Sequence, residues 1–180
     1  MNRQSRLQVF TELDAYDSRI PLDDLKNWME TVDLQLDDAH EFMRFHPDHY
    51  LRNLMHSGPT YQVLVLCWRN GQRSPIHDHS GSSCVLKVVE GIATETLFER
   101  AANDMIYAVS SRLVPVGSIC ATQDRDIHQI SNLQRNNANL VTIHVYSPPL
   151  FSMNVYSLLD ASVSHFIDPI NDEFVGGAGI

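Results

Sequence analysis

Cysteine is scarce in this 180-residue chain, which carries three, Cys67, Cys84 and Cys120. No two of them form a C-x-x-C pair and three are too few for a disulfide scaffold, so they read as reduced thiols. Positive charge is scarce too. Lys and Arg number 13 against 22 Asp and Glu, for a formal charge of -9 and a pI of about 5.3. That balance argues against nucleic acid or an anionic membrane as a partner, because phosphate surfaces attract basic patches, and a small molecule is expected instead. Long hydrophobic runs are missing: none approaches the ~20 residues that span a bilayer. The amino-terminal MNRQSRLQVFTELDAYD lacks the apolar core of a signal peptide, and the expected location is cytoplasmic. Internal repeats, low-complexity linkers and composition breaks are also lacking. A chain of this length can bury one substantial core, so one domain over 1–180 is expected.

Two kinds of sequence fill that length. Residues 1–58 read as a helical region, with Leu7, Phe10 and Leu13 at helical spacing, Pro21 opening LDDLKNWMETV, and DDAHEFMRF following. After Gly58-Pro59 the runs YQVLVLCW, CVLKVVEG, ATETLFER, MIYAVSSRLVPVG, HQISN and NLVTIHVYSPPL are short and rich in Val, Ile, Thr and aromatics, with turn residues between them. Such a succession, without intervening helices, predicts a mainly β body over about 59–165, a sandwich or small antiparallel barrel able to hold one ligand. The tail at 166–180, including DPINDEFVGGAGI, is polar and Gly-rich and is expected to be mobile or loosely packed.

Histidine is abundant, with nine in all. His46, His49 and His56 fall in polar sequence that reads as helical, where a solvated imidazole is the default. His77 and His79 differ, because in SPIHDHSGSSC they stand two apart at the start of an apolar run. In a strand, side chains at i and i+2 share a face, so the two rings converge and suggest a metal. The segment from Gly71 to Gly91 has the spacing of the first cupin motif, with Cys84 where an acidic ligand usually stands. Pro115-Val-Gly117 followed by His128-QIS-Asn132 resembles the second motif, which supplies a further histidine. The fold this resemblance implies is a cupin β-barrel (small antiparallel barrel or jelly roll) behind an α-helical amino-terminal region.

Cysteine at the acidic position and the later run His144-Val-Tyr146-SPP narrow the resemblance to the cysteine dioxygenases, a thiol dioxygenase branch of the cupins. The matching stretches are HYLRNLM, LVLCW, SPIHDHSGSSCVLKVVEG, ETLFE, HQISN and TIHVYSPPL. The resemblance implies one mononuclear Fe(2+) held by His77, His79 and His128, and a thioether between Cys84 and Tyr146 as a protein-derived cofactor. It puts Tyr50, Arg52, Leu66, Trp68 and His144 at the substrate, with Tyr146, Cys84, His144 and Thr142 in catalytic positions. It further implies L-cysteine and O2 as substrates, cysteine sulfinate as product, a monomer, and a cis bond at Ser147-Pro148.

Elementary chemistry agrees with those assignments. Three neutral imidazoles leave a metal its full charge, which favours an anionic thiolate. Zinc with the same ligands has no redox chemistry, whereas iron(II) activates oxygen. Arg52 is planar and permanently charged, suited to a two-pronged grip on a carboxylate. Thr142, His144 and Tyr146 alternate along one strand face and can form a hydrogen-bond relay, with Thr142 where the family usually has serine. Cys67 and Cys120 read as core thiols. The alternatives are a dioxygenase of another small thiol such as 3-mercaptopropionate, whose enzymes tend to carry glutamine in place of Arg52, a non-catalytic metabolite-binding cupin, or a metal-dependent isomerase.

Overall fold

The computed structural model describes residues 8–124 and 126–171. Among the described residues, the helices α1 (Leu22–Thr31) and α2 (Leu36–Ala39) lie among short 3-10 turns near the amino terminus. The strands that follow are β1 (Leu51–Ser57), β2 (Gln62–Trp68), β3 (Ser83–Glu90), β4 (Ile92–Arg100), β5 (Ile106–Pro115), β6 (Ile119–Gln123), β7 (Ile127–Ser131), β8 (Leu140–Ser147), β9 (Ser152–Tyr156), β10 (Val163–Ile167) and β11 (Ile170–Asn171). They form a six-stranded sheet in the order β11-β1-β2-β8-β3-β6, a three-stranded sheet β5-β4-β7, and the pair β10-β9. The architecture is the mainly β cupin fold expected from the motifs. Its sheets face each other as a jelly roll without closing into one hydrogen-bonded barrel. Isolated bridges of His77 with His128 and Val155, and of Arg73 with Ser131, tie the sheets together.

The six-stranded sheet is buried on both faces, and strand periodicity decides which residue goes where. Val63, Val65 and Cys67 of β2 and Val141, Ile143 and Val145 of β8 pack under the helical region against Phe10, Leu25 and Trp28. The alternate residues Leu64, Leu66 and Trp68 of β2 join Cys84, Leu86 and Tyr146 in the jelly-roll interior. α1 contributes Leu25, Trp28 and Met29, spaced three and four apart on one stripe, as its buried face.

Two expectations are corrected. Residues 51–57, assigned to the helical region, are strand β1, paired antiparallel with β2 from Leu51↔Cys67 to Ser57↔Gln62. HYLRNLM alternates in space: Asn53 and Met55 turn towards the helices while Arg52 and Leu54 turn inward. Cross-strand pairing overrides a local sequence that looks helical. The tail is ordered as far as Asn171, because β11 adds in parallel to β1 at Arg52↔Ile170 and Asn53↔Asn171, and Asn171 Nδ2 donates to Asn53 Oδ1 at 3.0 Å. Leu7 and residues 172–180 lie outside the described residues. Ser147-Pro148 is cis, as expected, and no helix among the described residues is long and apolar enough to cross a membrane.

Candidate metal centre

Each histidine is delivered by a separate constraint. His77 follows β2 in a loop pinned to β7 by reciprocal backbone bonds, His77 N to His128 O and His128 N to His77 O, both 3.0 Å. Asp78, between the two loop histidines, points away from them. Its carboxylate accepts from Asn154 Nδ2 at 2.9 Å, Tyr156 Oη at 2.7 Å and Ser80 Oγ at 3.1 Å, which fastens the loop to β9. The result is three converging rings. Their centroids lie 5.4 Å apart for His77 and His79, and 4.8 Å apart for each with His128. One nitrogen of each falls within 4.8 Å of the others, the only such cluster found among the described residues.

All three rings are buried. Burial, with the neighbouring His128, pushes His77 down to about 3, and burial with His128 and His77 holds His79 well below the usual range. Neutral imidazole is the form that binds a metal. His77 Nδ1 lies 3.0 Å from Pro75 O and His128 Nδ1 lies 3.2 Å from Glu95 Oε1, which leaves both Nε2 atoms for an ion. His79 rests Nε2 on Thr122 Oγ1 at 3.3 Å, while its Nδ1 is buried without a hydrogen-bond partner. A buried, unsatisfied nitrogen beside two converging imidazoles fits a metal, which would supply the missing partner.

Glu95 opens the matching stretch ETLFE but is given no role there, and it is the clearest addition. It is 1 % exposed, and besides His128 it receives Arg112 Nε at 2.8 Å and Arg112 Nη2 at 2.6 Å. Burial alone would raise its carboxyl, but the hydrogen bonds and charges of His128 and Arg112 outweigh that and hold it at about 2. Glu95, Arg112, Asp78 and Thr122 line an outer groove of about 810 Å³, which presents the supports of the centre.

On the inner side a tight cavity brings together Tyr50, Arg52, Leu66, Trp68, His144 and Tyr146 beside His77 and His128. Its free volume is about 10 Å³, room for about one water. Cys84, Thr142 and His79 stand just behind this lining. Tyr50 stacks on Trp68 at 4.2 Å. Arg52, 2 % exposed, donates to Asp168 O and to Leu150 O, each at 2.8 Å, with its guanidinium 5.4 Å from the Tyr146 ring centre.

The relay expected on β8 is present and longer than the sequence suggests. Trp68 Nε1 donates to Thr142 Oγ1 at 3.1 Å, Thr142 Oγ1 lies 2.9 Å from His144 Nε2, and His144 Nδ1 lies 3.0 Å from Tyr146 Oη. The indole can only donate, so Thr142 Oγ1 accepts from Trp68. One assignment that satisfies the rest has Thr142 donating to Nε2 and His144 donating from Nδ1, which leaves the Tyr146 hydrogen for Cys84 or the cavity. Burial first, then His128 and Arg52, holds His144 well below the usual range, in keeping with this neutral form. Burial first, then the neighbouring Cys84, raises Tyr146 well above its usual value. Cys84 of β3 pairs in register with Tyr146 of β8 and with Thr122 of β6.

The sequence reading also missed Asp168, Met153 and Ile130 of the cavity wall. Asp168 comes from a segment with no motif signal, and the two apolar residues look like any other strand core.

A jelly roll carrying a buried three-histidine centre beside a small closed pocket defines a cupin with a mononuclear metal site. Solved structures agree on the fold. A Thermus thermophilus protein superposes with a TM-score of 0.53 at 16% identity over 64% of this chain and 99% of that one. A Bacillus halodurans protein does so with 0.52 at 17% over 64% and 80%. The family model described as cysteine dioxygenase type I matches residues 6–158, and the chain belongs to that family. It is 30% identical to cysteine dioxygenase type 1 of Danio rerio over 142 residues, 76% of this chain and 70% of that protein. Against the Homo sapiens protein of the same name it is 27% identical over 155 residues, 83% and 76% respectively.

Proposed function

We propose that this chain is an iron(II)-dependent thiol dioxygenase, a single-domain cytoplasmic monomer over 1–180 that oxidises L-cysteine with O2 to cysteine sulfinate. The observation that carries the reading is one cavity in which His77 and His128 stand beside Arg52, Tyr50, His144 and Tyr146. His77, His79 and His128 would hold the ion, and iron(II) there supplies a redox-active Lewis acid able to bind a thiolate and O2 together. Balance is simple, since RSH and O2 give RSO2H and no outside reductant is consumed.

The protein's own groups account for the rest. Arg52 and Tyr50 come from β1 and the residue just before it, two positions apart on the inward face, and bind the substrate carboxylate through a charged fork and a hydroxyl. Leu66, Trp68 and Met153 wall the cavity and keep water out. The relay fixes His144 in one tautomer and points the Tyr146 hydroxyl at the reacting sulfur and oxygen. Cys84 and Tyr146 join as a thioether, with Sγ bonding to a ring carbon and the two lost hydrogens passing to O2. Their in-register pairing on β3 and β8 supports that bond.

Oxygen uptake by the iron(II)-loaded protein, compared for cysteine, cysteamine and 3-mercaptopropionate with product identification by mass, tests the reading. Cysteine is expected to be consumed fastest, with a product about 32 mass units heavier, as the added O2 requires. Loss of bound iron in His77→Ala, His79→Ala and His128→Ala is expected alongside. No oxygen uptake with any thiol, or full iron occupancy in His128→Ala, would overturn it.

A further inference from the structure

The cavity that is to receive a substrate carboxylate already contains one. Asp168 sits between β10 and β11 and reaches in from the cavity rim. Its carboxylate accepts the Tyr50 hydroxyl hydrogen, and Oδ2 lies 3.8 Å from Arg52 Nε. Its backbone carbonyl takes a further hydrogen from Arg52 Nη1 at 2.8 Å. The side chain is 11% exposed. Tyr50 and Arg52 are the groups assigned above to the substrate, and the free space of about 10 Å³ admits no amino thiol unless something moves.

The segment is built to move more readily than the rest of the pocket. Among the described residues β11 spans two positions at the edge of its sheet, and both pair with β1. The preceding β10 is exposed along its whole length and pairs only with β9. Edge segments with few buried contacts open at low cost, whereas β1 and β2 lie inside the sheet. Asp168 is also uneasy where it is. Burial raises its carboxyl, opposed by the charge of Arg52 and the hydrogen bond of Tyr50, so a second carboxylate on the same partners leaves it no reason to stay.

We propose that Asp168 is a built-in competitor for the substrate's carboxylate, occupying the Arg52–Tyr50 locus until a carboxylate-bearing thiol displaces it. This rests on the thiol dioxygenase reading of the pocket. The competition acts chiefly on affinity, because the displaced side chain is held by Tyr50 and Arg52, the groups that take the substrate's carboxylate. It acts only on ligands that use the locus. A thiol without a carboxylate leaves Asp168 where it is, and the apparent affinity of one that has it is reduced by the fraction of molecules whose locus is closed.

Asp168→Asn keeps the shape and removes the charge. In the iron(II)-loaded enzyme we expect the KM for cysteine to fall about five- to tenfold with a smaller change in kcat, and the KM for cysteamine to stay as it was. Calorimetric titration of the metal-loaded protein with propionate under nitrogen gives a readout independent of turnover, with binding expected to tighten by a similar factor. A cysteine KM that rises or is unchanged would make Asp168 an anchor for Arg52 and overturn the proposal. So would equal shifts for cysteine and cysteamine, or propionate binding no tighter in the variant. A wild-type protein that consumes no thiol would instead sink the dioxygenase reading, while the propionate titration would still decide whether Asp168 competes.

Discussion

Glu95 stands 3.2 Å from the Nδ1 of His128, so one ring of the centre is aimed from the neighbouring strand β4 of the same sheet. Replacing Glu95 with Gln keeps the size and removes the charge that fixes the tautomer. Loss of such a carboxylate partner typically costs about 10- to 100-fold in metal affinity. Competition with a chelator is expected to show a loss in that range for Glu95→Gln, and an affinity equal to wild type would reduce the contact to packing.

Thr142 carries the relay because Trp68 donates to its hydroxyl and His144 Nε2 receives from it. Thr142→Val strands both buried partners at a cost of about 1 to 3 kcal/mol each. For a chain of this size that amounts to a fall in Tm of roughly 4 to 24 °C. Thr142→Ser keeps the hydroxyl and is expected to melt within a few degrees of wild type. Equal melting temperatures for the valine and serine variants would show the relay to be energetically silent.

Arg52 has a structural duty as well as a binding one. Arg52→Ala removes the donor to Leu150 O and Asp168 O and leaves the Asp168 carboxylate without its cation. Hydrogen bonds to a charged group contribute about 1.5 to 3 kcal/mol each, so a lower Tm is expected together with a cysteine efficiency reduced by about ten- to several hundred-fold. Thermal melts beside kinetics on cysteine and cysteamine separate the two duties. A folding defect depresses both substrates, and a lost clamp depresses cysteine far more.

Burial pushes Cys67, Cys84 and Cys120 each up to about 12. The folded chain keeps these thiols protonated while an unfolded chain ionises them from about pH 8.5. Their contribution to stability is therefore complete below that value and is lost as pH rises towards 12. Denaturant unfolding is expected to weaken steadily between about pH 9 and 11. Iodoacetamide at about pH 8 is expected to leave the native protein unlabelled. After unfolding it should add three groups to a chain with free Cys84 and two to one carrying the thioether. Rapid native labelling of Cys84 would contradict its burial.

His77, His79 and the β8 relay are legible in the sequence because each depends on a short spacing, and His128 because it falls in the second motif. T-x-H-x-Y puts side chains on a common strand face wherever the strand goes, whereas H-x-H converges here from a loop and not from the strand expected. Glu95 and Asp168 are not legible, since they meet their partners across 33 and 118 positions of chain and each sits in a run that, read locally, is an ordinary alternating strand or polar tail. Residues 51–57 misled for a related reason. Their charges and spacing suit an exposed helix, and only pairing with β2 reveals that Arg52 faces inward.

Trp28 and Trp68 are the only tryptophans of the chain, and the six-stranded sheet separates them. Trp28 lies in the cluster beneath the helices, and Trp68 lies in the cavity with its ring on Tyr50 and its nitrogen on Thr142. The molecule thus carries two lamps, one in each compartment. With Trp28→Phe the remaining emission comes from the pocket and responds to what enters it. With Trp68→Phe the light comes from the helical cover alone, so its loosening and the filling of the cavity can be watched as separate events in one protein.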